Sequence, residues 1–155
     1  MSFVVTGLPV EDLRPLFRLA DEELAVRGIL RETAEPGGRY PCRITLEDAA
    51  PGDTLLLLNY EDHAAPTPYR NAYAIFVNER AQASARVVDD VPPVLRGRPI
   101  ALRVFDASGI KIAAELVLDD TVSAAVVRQF ENPQAAYIHA HNAAHGCFAA
   151  RIERA

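Results

Sequence analysis

The chain has 155 residues, 16 Lys and Arg against 21 Asp and Glu for a net charge of −5, an apolar half, two Cys and no Trp. That length predicts one domain over residues 1–155, and the balance of apolar and charged residues is that of a globular chain, not a disordered one. No third of the sequence is net basic, so the clustered cations that displace counterions from DNA or RNA are missing and no nucleic-acid partner is expected.

Apolar runs such as Leu55 to Leu58 fall far short of the ~20 residues that span a bilayer, so no membrane partner is expected either. Phe3-Val4-Val5 follows the first Met with no basic segment or long apolar run, which does not read as a signal peptide. The expected location is the cytoplasm. Thiols stay reduced there, so Cys42 and Cys147 are read as free cysteines. Fifteen of the sixteen basic residues are Arg, Lys111 being the one Lys, a skew that fits a GC-rich genome better than fifteen specific contacts.

In chain order, Phe3 to Thr6 is a short β-prone run closed by Gly7. Val10, Leu13, Leu16, Phe17 and Ala20 recur at helical spacing after Pro9, with Pro15 expected to kink or split the segment because it lacks an interior donor. A second helix runs from Asp21, the expected N-cap, to Gly28, the expected C-cap. Glu35-Pro36-Gly37-Gly38 is a turn, and Tyr40-Pro41-Cys42-Arg43 leaves it extended. Thr54 to Tyr60 and Tyr73 to Val77 read as strands. Glu61 to Ala72 between them, with Pro66 and Pro68, reads as a loop too long for a tight hairpin, and loops of that length are often functional. Ile100 to Phe105 and Ile110 to Leu118 flank Asp106-Ala107-Ser108-Gly109, a strong hairpin signal. Asp119-Asp120 caps a helix over Val122, Ala125, Val126 and Phe130 that Asn132-Pro133 stops. Tyr137 to His141 and Phe148 to Ile152 form a last hairpin. The predicted class is α+β, a mainly antiparallel sheet with N-terminal helices and one helix before a C-terminal β-hairpin.

Three segments carry chemistry. Three of the four His and one Cys fall between Tyr137 and Cys147. In a strand His139 and His141 share a face with Tyr137, which places two imidazoles where a metal ion needs them, with His145 or Cys147 as a third donor. The spacing matches no complete ligand set, and no acidic residue of the stretch supplies a supporting partner, so no metal site is favoured. The candidates for one are His139, His141 and His145. The plainer reading is an edge hairpin whose imidazoles are solvated or bonded to backbone.

Cys42 next to Arg43 is a candidate nucleophile, since a neighbouring guanidinium favours thiolate. Strand neighbours point to opposite faces, however, and a free Cys is more often a packed, inert thiol. In the loop, Tyr69 and Arg70 offer stacking and bidentate hydrogen bonds to a planar anion, or else a core plug and a solvated charge. Phosphate-binding glycine loops, Gly-x-Ser-x-Gly elbows and His-Glu-x-x-His helices are absent, and no cofactor is expected.

Tyr40-Pro41-Cys42-Arg43, Leu46-Glu47-Asp48-Ala49, Pro51-Gly52-Asp53, Pro68-Tyr69-Arg70, Ile75-Phe76-Val77, Tyr137 to Ala143, Gly146-Cys147-Phe148 and Arg151 together resemble a small bacterial family, domain of unknown function 1203. The resemblance spans nearly the whole chain and implies a compact bacterial cytosolic domain with no established activity. One departure stands before Ile75, where Tyr73-Ala74 replaces a Gly-Pro pair.

The preferred functional reading is a small-ligand-binding or catalytic pocket where Cys42-Arg43, Tyr69-Arg70 and residues 137–147 converge. Its ligand-binding residues would be Arg43, Tyr69, Arg70, His139, His141 and Cys147, and its catalytic candidates Cys42, His139 and His141. A small anionic ligand is the expected partner. The rival is a non-enzymatic interaction or structural module, a homo-oligomer such as a dimer, and a metal-binding domain is a third option. An exposed apolar edge strand would favour the module, and a concave polar cleft the pocket.

Overall fold

The computed structural model describes residues 1–155. In chain order the elements are β1 (Phe3–Thr6), α1 (Val10–Phe17), α2 (Asp21–Val26), β2 (Leu30–Thr33), β3 (Thr54–His63), β4 (Asn71–Asn78), β5 (Arg86–Val88), a 3-10 turn (Pro93–Leu95), β6 (Ile100–Phe105), β7 (Lys111–Val117), α3 (Val122–Phe130), β8 (Tyr137–Asn142) and β9 (Phe148–Arg154). The strands form a six-stranded sheet in the order β5-β1-β9-β8-β6-β7 and a three-stranded sheet β2-β3-β4. Every strand pairing is antiparallel, so the α+β class predicted from consecutive hairpins is the one observed. No helix is long and apolar enough to cross a membrane.

Strand alternation divides the large sheet into two faces. Ile100, Leu102, Val104, Ile138, Ala140, Ala150 and Ile152 point one way and join Val122, Ala125, Val126 and Phe130 of α3 in the larger core. Burial of Phe130 alone contributes about 2 kcal/mol. Arg154 holds that helix end to the sheet, with Nη2 donating to the carbonyls of Phe130 (2.7 Å) and Asn132 (3.0 Å), where a cation meets the negative end of the helix dipole. The opposite face carries Arg103, Tyr137, His139, His141, Phe148 and Arg151. Phe148 belongs to a second core with Leu56, Leu58, Ile75 and Val77 of the small sheet, Val10, Leu13 and Leu24 of the first two helices, and Cys42. The small sheet thus covers the histidine-bearing face of the large one.

Several local expectations need correction. Asp62 and His63 are strand residues, because β3 runs to His63 and β4 starts at Asn71, with a bulge between Glu61 and His63. The segment read as a loop over Glu61 to Ala72 is therefore a hairpin connected by residues 64–70. Two short strands, β2 and β5, were too brief for a periodic signal. Helix α1 continues through Pro15 to Phe17 and is not split. Ala20, not Asp21, precedes α2, and its N–H donates to Glu23 Oε2 at 2.9 Å. Thr121, itself bonded to Asp119, precedes α3. Tyr40 to Arg43 forms only isolated bridges from Pro41 and Cys42. Finally, β8 lies between β9 and β6, so the His-bearing hairpin sits inside the sheet and not at its edge.

Gly7 is where the chain leaves β1 and passes beside the Cys42 segment. A Cβ there would lie 1.9 Å from the carbonyl oxygen of Ile44. Leu8 N also donates to Arg43 O at 2.8 Å, so the two segments cannot separate freely. Gly7→Ala is expected to cost about 3 kcal/mol in urea unfolding; an unchanged midpoint would mean that the segment yields without loss.

Candidate functional site

Two constellations contain five of the residues singled out above, Arg43, His145 and Cys147 in one and His139 and His141 in the other. The first is a cleft of about 370 Å³ bordered by Arg39, Arg43, Arg98, Asn142, His145 and Cys147, with Leu57, Tyr73 and Phe76 as its apolar walls. Arg43 is 2% exposed. Its guanidinium uses three donors, Nε to Phe148 O (2.8 Å), Nη1 to Pro41 O (2.6 Å) and Nη2 to Cys147 Sγ (3.0 Å). Burial pulls its pKa below the usual value, opposed by the Cys147 and Cys42 sulfurs, while nearby Arg98 adds to the lowering. Arg98 is nearly buried and pairs through Nη2 with Asp48 at 2.5 Å, yet its Nε–H has no partner. Arg39 Nη1 donates to Gly97 O at 3.0 Å. No carboxylate lines the cleft.

The second constellation lies between the sheets. His139 and His141 project from β8 toward Asp62, which keeps the inward face of Leu56 and Leu58 along β3; the bulge between Glu61 and His63 brings buried His63 inward as well. The Asp62, His139 and His141 side chains are each 3% exposed or less. His139 Nδ1 stands 3.7 Å and His141 Nε2 3.8 Å from Asp62 Oδ2. Those separations exceed a hydrogen bond, and both Asp62 Oδ2 and His139 Nδ1 are buried without a partner. Asp62 Oδ1 accepts from Asn71 Nδ2 at 2.7 Å. The three donor atoms lie within 4.8 Å of one another.

The hydrogen bonds set the proton positions. His141 Nδ1 faces Gly146 O at 3.0 Å; a carbonyl only accepts, so Nδ1 carries the proton and Nε2 turns a lone pair toward Asp62. His63 is fixed likewise, with Nδ1–H on Tyr69 O (3.0 Å) and Nε2 accepting from Tyr137 Oη (2.7 Å). Burial pushes His141 down to about 4, with Arg103 adding to the fall and the Gly146 bond and Asp62 opposing it. Burial likewise lowers His139, against the pull of Asp62. Both imidazoles are therefore neutral at neutral pH. Burial works to raise Asp62, but contacts with His139 and Asn71 and the two imidazoles outweigh it and hold the carboxyl below its usual value.

The expected site residues thus divide between places. Arg43, Cys147 and the exposed His145 share the first cleft. His139 and His141 face Asp62. Cys42 lies apart from both, its sulfur accepting from Asn78 N at 3.2 Å inside the second core. Tyr69 and Arg70 border a separate cleft of about 190 Å³ with Asn71, Arg103, Phe105 and Lys111. There Arg70 is engaged by Glu61 at 2.8 Å, and Lys111 lies 5.1 Å from the centre of the Tyr69 ring. His145 is not among the donors that face Asp62.

Sequence reasoning missed Asp62, Arg98 and Arg39. Asp62 continues the alternation of Leu56, Leu58 and Tyr60 onto one face, a signal hidden by the polar run Glu61-Asp62-His63. Arg39 and Arg98 sit in irregular segments and gave no such signal.

No curated protein and no solved structure matches the chain. A family model described as "Protein of unknown function (DUF1203)" matches residues 39–154, a span that holds both constellations. The chain therefore belongs to the DUF1203 family, the one its motifs resemble.

Proposed function

We propose that this protein binds a small anionic molecule, a carboxylate or phosphate with an apolar body, in the cleft between Arg39, Arg43, Arg98 and Cys147. One observation carries the reading: three guanidiniums and no carboxylate line a concave site in a chain of net charge −5. The buried Arg98 Nε–H lacks an acceptor, and planar guanidinium donors suit carboxylate and phosphate oxygens. Leu57, Tyr73 and Phe76 offer apolar surface to the rest of the ligand. Arg43, with three of its donors already committed inside the fold and 2% exposed, shapes the cleft and supplies charge, leaving Arg98 and Arg39 to make contact.

The edges of the large sheet lend the interaction-module alternative less support. At one edge of the large sheet β5 has only three residues, and at the other β7 carries Lys111 and Glu115, both devices that discourage strand addition. Two unpaired, buried thiols suit a reducing compartment, in keeping with a bacterial cytosolic protein.

The test is calorimetric titration with inorganic phosphate and with benzoate. At least one is expected to bind one to one, with affinity falling as salt rises, and Arg98→Met to weaken it about tenfold or more, the loss of one charged hydrogen bond. Undetectable binding of both probes, or equal affinity in Arg98→Met and Arg39→Met, would refute the assignment.

A further inference from the structure

We propose that Asp62, His139 and His141 are the protein ligands of a divalent first-row transition-metal ion held between the two sheets. This site is distinct from the anion cleft and does not depend on it.

Two acceptors face each other between the sheets. His141 Nδ1 is committed as a donor to Gly146 O, so the Nε2 lone pair points across 3.8 Å at an oxygen of Asp62. His139 Nδ1 stands 3.7 Å from the same oxygen. Neither Asp62 Oδ2 nor His139 Nδ1 has a hydrogen-bond partner, although both side chains are almost wholly buried. The lone pairs of His141 Nε2 and Asp62 Oδ2, converging in a buried site, repel unless a cation lies between them; His139 Nδ1 becomes the third donor once its proton moves to Nε2, the nitrogen that otherwise accepts from Arg151. Two imidazole nitrogens and one carboxylate oxygen form a set suited to zinc, iron, cobalt or nickel, and poorly suited to calcium or magnesium, which prefer oxygen alone.

The distances need little adjustment. Ligands about 2.1 Å from a metal stand roughly 3.0–3.4 Å apart, so each nitrogen must close on the Asp62 oxygen by a few tenths of an ångström, and the two nitrogens, which lie within 4.8 Å of each other, must draw together as the imidazoles turn toward the ion. Supporting bonds are in place: Gly146 O orients His141, and Asn71 Nδ2 holds the other oxygen of Asp62 at 2.7 Å. His139 would carry its proton on Nε2, which faces Arg151 Nη1 at 3.5 Å. Arg151 can give up that long contact, since its guanidinium is also held by Glu153 at 2.7 Å and lies 4.0 Å from the centre of the Tyr137 ring.

Three protein donors leave coordination positions open. Arg103 and Arg151 flank His139 in register on the neighbouring strands. Their charges oppose a bare dication and favour one that also holds an anion such as hydroxide or a carboxylate. Asn71, Arg103 and Phe105 border the smaller cleft. Asn71 bonds Asp62, and the Phe105 ring lies 5.4 Å from that of His139, so this cleft adjoins the site.

Full-length protein stripped with chelator should bind one equivalent of Zn²⁺ by calorimetry. Asp62→Asn and His141→Gln are expected to weaken binding about 100-fold or more, at or beyond the upper end seen for loss of a supporting partner alone. X-ray absorption of the wild-type zinc complex is expected to show nitrogen and oxygen neighbours with the outer scattering of imidazole. Absence of saturable one-to-one binding, sulfur among the neighbours, or unchanged affinity in a folded Asp62→Asn variant would overturn the proposal. Should both variants fail to fold by circular dichroism, the wild-type absorption spectrum decides alone.

Discussion

Replacing Arg43 with alanine is expected to destabilise the protein by about 3 kcal/mol, from buried carbonyls that lose their donors and from the cavity left behind. The guanidinium joins the carbonyls of Pro41 and Phe148 and the sulfur of Cys147, residues up to 105 positions away in sequence. Without it, two buried carbonyl oxygens lose charged donors and a cavity opens beside Phe148, which belongs to the second core. Lysine should restore only part of the loss, because a single ammonium on a flexible stem does not reproduce a planar fork aimed at three acceptors. Urea unfolding of Arg43→Ala and Arg43→Lys checks both statements. A loss below about 1 kcal/mol would mean that water satisfies the two carbonyls.

In chelator, stability should fall between about pH 6.5 and pH 4. His141 has its folded pKa depressed from 6.5 to about 4, so across that window the unfolded chain takes up a proton that the folded one refuses. Stability is full above the unfolded value and is lost as pH drops toward the folded one. At 1.36 kcal/mol per pKa unit, the loss is about 3 kcal/mol, and His139, lowered for the same reason, adds to it. The depressed carboxylates of Asp53, Asp89 and Asp106 act in another window, below their ordinary 3.8. Denaturant titrations at pH 7.5, 6, 5 and 4.5 separate the two groups. His141→Gln should make the profile shallower above pH 4.5, leaving the part that His139 contributes; a wild-type profile already flat there would contradict the assignment of neutral, buried imidazoles.

The sequence patterns were legible wherever a side chain's role follows from its neighbours in the chain. Alternation located both strands around Asp106 to Gly109 and put His139 and His141 on one face. The 3.6-residue period located α3. What stayed hidden depends on pairing between distant segments. That β8 is internal follows from β6 and β9 flanking it, which no local window reports. Asp62 looked like the start of a loop because Glu61, Asp62 and His63 are all polar, and polarity in a strand becomes intelligible only once the imidazoles opposite are known. The Arg43 segment was legible as chemically dense, and so was the separation of Arg43 from Cys42, but the actual partner of Arg43, Cys147, is distant in sequence, and a turn within residues 42–46 stands in place of the expected strand. That turn includes Leu46 at φ 57° and fully buried, a conformation no propensity would assign to leucine.

The central place of β9 has a consequence for how the protein is made. Its residues Ala149, Ala150 and Ile152 complete one core, Phe148 completes the other, and the strand separates β1 from β8 in the sheet. A chain still on the ribosome and lacking residues 148–154 therefore carries β1 and β8 with open edges, and neither apolar cluster is closed. Closure of both clusters waits for that segment, and a chain truncated before Phe148 is expected to associate through those edges.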